Sequence, residues 1–499
     1  VGARGVAGRG VEACVFWVGA VREVGSVRGR DLTFGRSRGR DYNSELNRSE
    51  GLEHRIHGKG VPFMSTETIA LRIYGKEDLR LEKFDLPDPA EDEILAEIVS
   101  NSICMSSHKA AEQGPDHKRV PGDVAENPTI IGHEFSGRLL QVGDKWKDQF
   151  QPGQKFGIQP ALNYKGSLDA PGYSFRWIGG NAQKIIIPQE VMTMDCLLPY
   201  EGDAFFKASL AEPMSCIVGA FRAQYHHAEP GKYEHEFGIK EDGNCALLAA
   251  AGPMGQGAID VALHGDRKPG RLLVTDIDPD RLARARQLFP EEKAEKLGIE
   301  LIYCNPAELE GGQEQLVEYV RDVTDGDMMD DVFVFFPHPA VIEQGDEMLG
   351  RDGCLNFFAG PQDRDFRASM NFYNVHYERH HLVGTSGGNT EDMRISLGMM
   401  GDGRINPAGM ITHVGGLDSV AETVLDLPDI PGGKKLVYNH IRMPMTAIED
   451  FDEAADDHDE PLKSVYRELD RICEKKGGLW SAEAESFLLS CDEIRLDEV

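Results

Sequence analysis

A cysteine at 104, a histidine and a glutamate side by side at 133 and 134, and a second glutamate at 212 are the residues of this chain best suited to sharing one cation. His133 and Glu134 end an apolar run, TIIGHEFSG, with Gly132 and Gly137 on either side. Buried ionisable groups are costly unless paired or bound to a metal. The pair therefore sits in a wet turn or faces a cation. A catalytic zinc needs about three protein ligands and an open position for water or substrate. Cys104 would give a thiolate and His133 a nitrogen. Glu134 and Glu212 offer hard oxygens, one of them through a bound water. Taken singly, each has a plainer explanation. A cysteine after a strand is usually core, and the acid of AEP at 211–213 suits the first turn of a helix. Together, on one β-rich region ahead of a nucleotide turn, they point to a metal.

The nucleotide turn is ALLAAAGPMGQGA, where a strand meets a helix. The fingerprint G-x-G-x-x-G puts glycines where backbone bends tightly and approaches a pyrophosphate. Ala250 replaces the first glycine, Gly252 and Gly255 hold the later places, and Pro253 and Met254 lie between them. Asp276 follows about 20 residues on, at the end of the next strand, where an acid binds the adenosine ribose. Its charge would repel a 2′-phosphate, so NAD(H) is expected, with NADP(H) the alternative. The plainer role for Asp276 is capping the following helix.

These residues need elements to position them. Residues 69–82 alternate apolar and polar, as in one half-buried strand, and EILAEIVSNSIC is a strand ending at Cys104. QKFGIQPAL and AQKIIIPQEV add short strands, while FFKASLAEPMSCIVGAFRAQ is helical. From about residue 236 a βαβ alternation implies a parallel sheet. The chain closes in an acidic helical tail. The fold class is thus α/β plus β. With 499 residues, 40% of them hydrophobic, there is room for two domains. No run of about 18 apolar residues predicts a membrane span. A net charge of −31 turns away nucleic acid and anionic membranes. Nine cysteines without a CxxC indicate a reducing, cytoplasmic compartment. Residues 1–63 differ from the rest: Gly/Arg-rich, without periodicity, and with 11 Lys/Arg against 7 Asp/Glu. They read as a disordered or non-native leader.

GHEFSG with an upstream cysteine, a downstream EP and AAGPMG resembles the zinc-dependent medium-chain alcohol and polyol dehydrogenases. The likeness runs from about Ile69 to Tyr438 through IALRIYGKEDLRLEKFDLP, CMSSHKAAEQG, PGYSFRWIGG, DGCLNFFAGPQDRDF and LDLPDIPGGKKLVY. It implies a GroES-like β-rich catalytic domain at 64–235 and 385–499, around a Rossmann doubly wound parallel-sheet domain at 236–384. The active site would lie in the cleft between them. The resemblance makes Cys104, His133 and Glu212 zinc ligands, with Glu134 beside them as a ligand or water-holding carboxylate. Ser106 becomes a proton-relay hydroxyl and Lys109 the next relay place; His108 stands one residue off it. The family's four closely spaced structural-zinc cysteines are missing, so one zinc per chain is expected. The implied reaction is zinc-dependent reduction of a ketose phosphate, L-sorbose 1-phosphate to D-glucitol 6-phosphate, in a homo-oligomer. Rival readings are a dehydrogenase of an unphosphorylated polyol or secondary alcohol, and a catalytically silent NAD-binding protein. Lys109 and Arg176 are candidates for the substrate phosphate, against plainer roles as a relay and a solvated surface charge.

Overall fold

A computed structural model describes residues 66–499 apart from 230 and 362, and the leader at 1–63 lies outside those residues. Strand β1 (Thr66–Gly75) pairs antiparallel with β2 (Asp78–Leu86), Leu71 opposite Leu81. This corrects the single strand expected over 69–82. The chain reverses at residues 76–77, where Glu77 takes φ 56°. The apolar positions on both sides of the turn stay in phase, so alternation alone does not reveal the reversal.

The spine of the catalytic part is β3 (Ile94–Ile103). Beyond β4 (Thr129–Ile130), which pairs with β1, strand β5 (Glu134–Val142) lies antiparallel to β3. β6 (Lys155–Ile158), β7 (Lys184–Ile187) and β8 (Leu197–Pro199) extend the same sheet.

The nucleotide part begins after an antiparallel pair, β9 (Tyr225–His227) and β10 (His235–Phe237). Six parallel strands follow: β11 (Asn244–Leu248), β12 (Arg271–Thr275), β13 (Glu300–Cys304), β14 (Met329–Val334), β15 (Leu349–Phe357) and β16 (His381–Gly384). Their order is β13-β12-β11-β14-β15-β16. Ala246, Leu273, Val332 and Leu355 are fully buried, as expected where helices cover both faces of a parallel sheet. The strand order reverses between β11 and β14, and ligands bind outside the carboxyl ends at such a switch point.

The chain then returns to the first sheet through β17 (Ile411–Gly416), β18 (Lys434–Tyr438) and β19 (Thr446–Ala447), with β18 against β3. The acidic tail is helical and closely packed. Trp480 is buried, and the Glu485 carboxylate accepts the backbone N–H groups of Phe205 and Phe206 at 2.7 and 2.8 Å. These amides open the helix Phe205–Ser209. Glu485 also accepts the Tyr438 hydroxyl at 2.9 Å. Among the described residues no helix is long and apolar enough to cross a membrane.

Candidate active site

Cys104 stands where β3 gives way to the helix Met105–Gln113. His133 immediately precedes β5, and Glu134 is its first residue, opposite Ser102 of β3. The backbone reaches this point through Gly132 at φ 101°, a conformation that disfavours any side chain with a Cβ. The ligand atoms of Cys104, His133 and Glu134 lie within 4.8 Å of one another. Glu212, in the first turn of the helix Ala211–Ala223, is outside that triangle but acts electrostatically on Cys104 and His133.

The two glutamates differ in their surroundings. Glu134 gives its oxygens to the Lys434 ammonium, at 2.5 and 2.7 Å, and to the Ser102 hydroxyl. Burial pushes its pKa up, but Lys434 outweighs this and holds the carboxyl below the usual range. Lys434 is in turn held above the lysine range: burial works against its charge, and Glu134 prevails. Glu212 has no such ion pair among the described residues, and burial raises its pKa. Burial also pushes the Cys104 thiol up to about 11, with Glu134 adding to the effect, and lowers the pKa of His133. A thiolate and a carboxylate withdrawn from water need a cation, and a divalent ion supplies that charge. Sulfur from Cys104, nitrogen from His133 and oxygen from Glu212 fit zinc, with Glu134 already neutralised by Lys434.

Ser106 lies at the same point, its hydroxyl 3.0 Å from Cys104 Sγ and 3.3 Å from His133 Nε2. Ser107 approaches the other ring nitrogen, Nδ1, at 3.4 Å, the kind of contact that fixes the orientation of a ligating histidine. The buried Tyr173 hydroxyl stands 3.5 Å from Nε2. Lys109, one helical turn from Ser106, is half-buried and has no hydrogen bond or ion pair among the described residues. His108 turns away and donates to the Val424 carbonyl.

Arg176 sits elsewhere. It is exposed, lies 4.8 Å from the Trp177 ring, and its charge acts on Arg72 of β1. Besides Lys434, a second cation, Arg119, lies near the cluster. Its guanidinium carbon is 5.4 Å from the Tyr173 ring, its charge acts on His133 and Glu212, and its buried Nε has no hydrogen-bond partner among the described residues. Ser102, Arg119, Tyr173 and Lys434 are not singled out by sequence reasoning. Tyr173 and Lys434 lie within the quoted runs PGYSFRWIGG and GGKKLVY, but no spacing rule points to either.

At the nucleotide turn, positive φ falls on Ala249, at 53°, just before the missing glycine. A Cβ at Gly255 would come within 1.9 Å of the Ala250 carbonyl oxygen, so this position requires glycine. A cavity of about 610 Å³ at the carboxyl ends of β11 and β12 is lined by Gly252, Pro253, Met254, Gly255, Asp276 and Arg281, among others. Asp276 braces the turn: its oxygens accept Ala251 N–H at 3.0 Å and Asp278 N–H at 3.1 Å. The cap of the helix Pro279–Leu288 is Asp278, so Asp276 does not have the plainer role considered above.

No family model matches the chain. It is 50% identical over 431 residues to mannitol-1-phosphate 5-dehydrogenase of Aliivibrio fischeri, covering 86% of this chain and 99% of that protein. It is 48% identical over 423 residues to L-sorbose 1-phosphate reductase of Klebsiella pneumoniae, covering 85% and 97%. Among solved structures, a zinc-binding dehydrogenase from Sinorhizobium meliloti bound to NADP aligns at TM-score 0.59 and 16% identity, covering 75% of this chain and all of that one. The 2R,3R-butanediol dehydrogenase of Bacillus subtilis aligns at 0.58 and 18%, covering 74% and 99%. These structural alignments show the same two-part fold, and the close relatives place the activity. The chain belongs to the zinc-type medium-chain alcohol and polyol dehydrogenases, an oxidoreductase of the group that includes those two sugar-phosphate enzymes.

Proposed function

We propose that this enzyme uses NADH to reduce a ketose phosphate to a polyol phosphate, with L-sorbose 1-phosphate as the first substrate to test. The observation that carries the reading is Arg119, whose guanidinium carbon lies 5.4 Å from the ring of Tyr173, the residue whose hydroxyl approaches His133, and whose Nε lacks a partner among the described residues. A sugar phosphate carries nearly two negative charges at neutral pH, and a guanidinium binds phosphate through charge-assisted hydrogen bonds. Cys104, His133 and Glu212 would hold a zinc ion, which when bound would supply Lewis-acid polarisation of a carbonyl, and a nicotinamide in the nucleotide cavity would supply hydride. Ser106 hands a proton to the substrate oxygen. Ser107 steadies the His133 ring. Lys434 keeps Glu134 ionised and out of competition for the substrate. A catalytically silent nucleotide-binding protein has no need of these buried donors at one point. The same reading takes the enzyme as a cytoplasmic homo-oligomer.

Arg119→Ala is expected to raise KM for L-sorbose 1-phosphate by roughly 10- to 100-fold, the equivalent of a charged hydrogen bond of about 1.5–3 kcal/mol. KM for free L-sorbose should stay within about twofold. Arg176→Ala should change neither, and Lys109→Ala should lower kcat if it serves the relay. Equal losses on both sugars, or faster wild-type turnover of the free one, would replace this reading with an unphosphorylated polyol dehydrogenase.

Asp276→Ser is expected to shift the NADH-to-NADPH ratio of kcat/KM toward NADPH by about tenfold or more. The substitution removes a charge that would face the 2′ position, while Arg281 in the same cavity can meet a 2′-phosphate. An unchanged ratio would reduce Asp276 to a brace of the turn.

A further inference from the structure

The described residues contain a second cluster of metal-ligating side chains, well removed in topology from the first. His227 ends β9 and His235 begins β10, and the two are directly opposite in the antiparallel register. Their rings lie 4.9 Å apart. Facing them from the parallel sheet are Asp352 of β15 and His381, the first residue of β16. His227 Nδ1 and His381 Nε2 both meet the same carboxylate oxygen, Oδ1 of Asp352, the latter at 2.9 Å. The ligand atoms of His227, Asp352 and His381 all fall within 4.8 Å of one another.

The backbone is arranged to bring the carboxylate there. Asp352 takes φ 64°, a region few residues other than glycine, asparagine and aspartate adopt readily. It is pinned on both sides: its N–H donates to the Glu378 carbonyl at 2.7 Å, and its carbonyl accepts His226 Nδ1 at 3.0 Å. Its second oxygen accepts the backbone N–H of His227 at 2.8 Å. The side chains of His227 and His381 are only 10% exposed and that of Asp352 23%, so water competes weakly for their lone pairs. The cluster lies toward the amino ends of β15 and β16. The nucleotide turn follows the carboxyl ends of the parallel strands, at the other end of the sheet.

We propose that His227, Asp352 and His381 bind a second divalent cation of the zinc class, with His235 as the fourth ligand. Two or three imidazole nitrogens and one carboxylate oxygen, without sulfur, suit a borderline divalent ion. A set that closes to four protein ligands is structural in character. His235, whose ring is 6.0 Å from that of His381, reaches the ion by a side-chain rotation. The ion ties the β9–β10 pair to the β15–β16 edge of the nucleotide sheet. It adds a metal to the one expected from the missing cysteine lobe.

The test is a metal count on the full chain, stripped with chelator and titrated back with Zn²⁺. Wild type should hold two equivalents. Cys104→Ser should keep one, and in that variant Co²⁺ should give visible ligand-field bands without the near-ultraviolet thiolate band. The double variant His227→Ala/His381→Ala, and the milder His381→Gln, should lose one equivalent while wild-type turnover persists within about twofold. A single equivalent in wild type that disappears in Cys104→Ser overturns the proposal. So does a Cys104→Ser chain that binds no zinc, or a second equivalent retained when both histidines are replaced.

Discussion

Cys104→Ser yields a folded chain that has lost one zinc equivalent and turns over at least about a thousandfold more slowly. Lewis-acid polarisation contributes several kcal/mol to carbonyl reduction, and each 1.36 kcal/mol is a factor of ten; about 4 kcal/mol therefore gives the stated loss. The fold should persist because the Cys104 side chain makes no helix-capping bond and its one hydrogen bond is with Ser106. Serine keeps the size of the group and removes the soft ligand. Circular dichroism, elemental analysis and NADH oxidation on the same preparation check the three parts together. Turnover within tenfold of wild type would mean that Cys104 does not hold the catalytic ion.

Lys434→Met, in chelator-treated protein, should lower stability by about 3–5 kcal/mol, the usual cost of leaving a buried charge without its partner. The side chains of Glu134 and Lys434 are 1% and 11% exposed, so solvent cannot replace the ammonium. Only the Ser102 hydroxyl would then remain on the carboxylate. Adding Glu134→Gln should recover most of the loss, because a neutral amide carries no stranded charge. Urea midpoints for the two single variants and the double one give the coupling. A single-variant loss under about 1 kcal/mol would show that the ion pair does not support this corner of the sheet.

Local signals exposed part of this architecture. The strand ending at Cys104, the glycine-flanked His133–Glu134 and the strand–turn–helix around Gly252–Gly255 all declare themselves within a dozen residues. So do the short apolar runs CALL, LLV and VFV within β11, β12 and β14, as expected of a sheet covered on both faces. The failures are of another kind. The β1–β2 reversal was hidden because its turn preserves the phase of the alternation. Lys434 lies 300 residues from Glu134, and nothing in GGKKLVY says that its first lysine meets a buried acid. Arg176, a candidate for the substrate phosphate, is exposed and lies over the Trp177 ring. Arg119, in an unremarkable polar stretch, packs against Tyr173, whose hydroxyl approaches His133. Pairings of this kind depend on strand register between distant segments, which residue types do not encode locally.

Glu485 closes two helix-opening amides that precede it by about 280 residues, and β18 must find β3 across more than three hundred. Closing such long loops is slow, because the entropy cost is met before the contacts form. During synthesis, which releases the amino end first, Cys104 and His133 emerge long before Lys434. The six-stranded sheet, whose partners are near in sequence, can consolidate while the catalytic half still waits for its last strands and its final helix. The corner around Glu134 and Lys434 is therefore expected to mature late, once β18 has paired with β3 and Glu485 has reached the Phe205 and Phe206 amides.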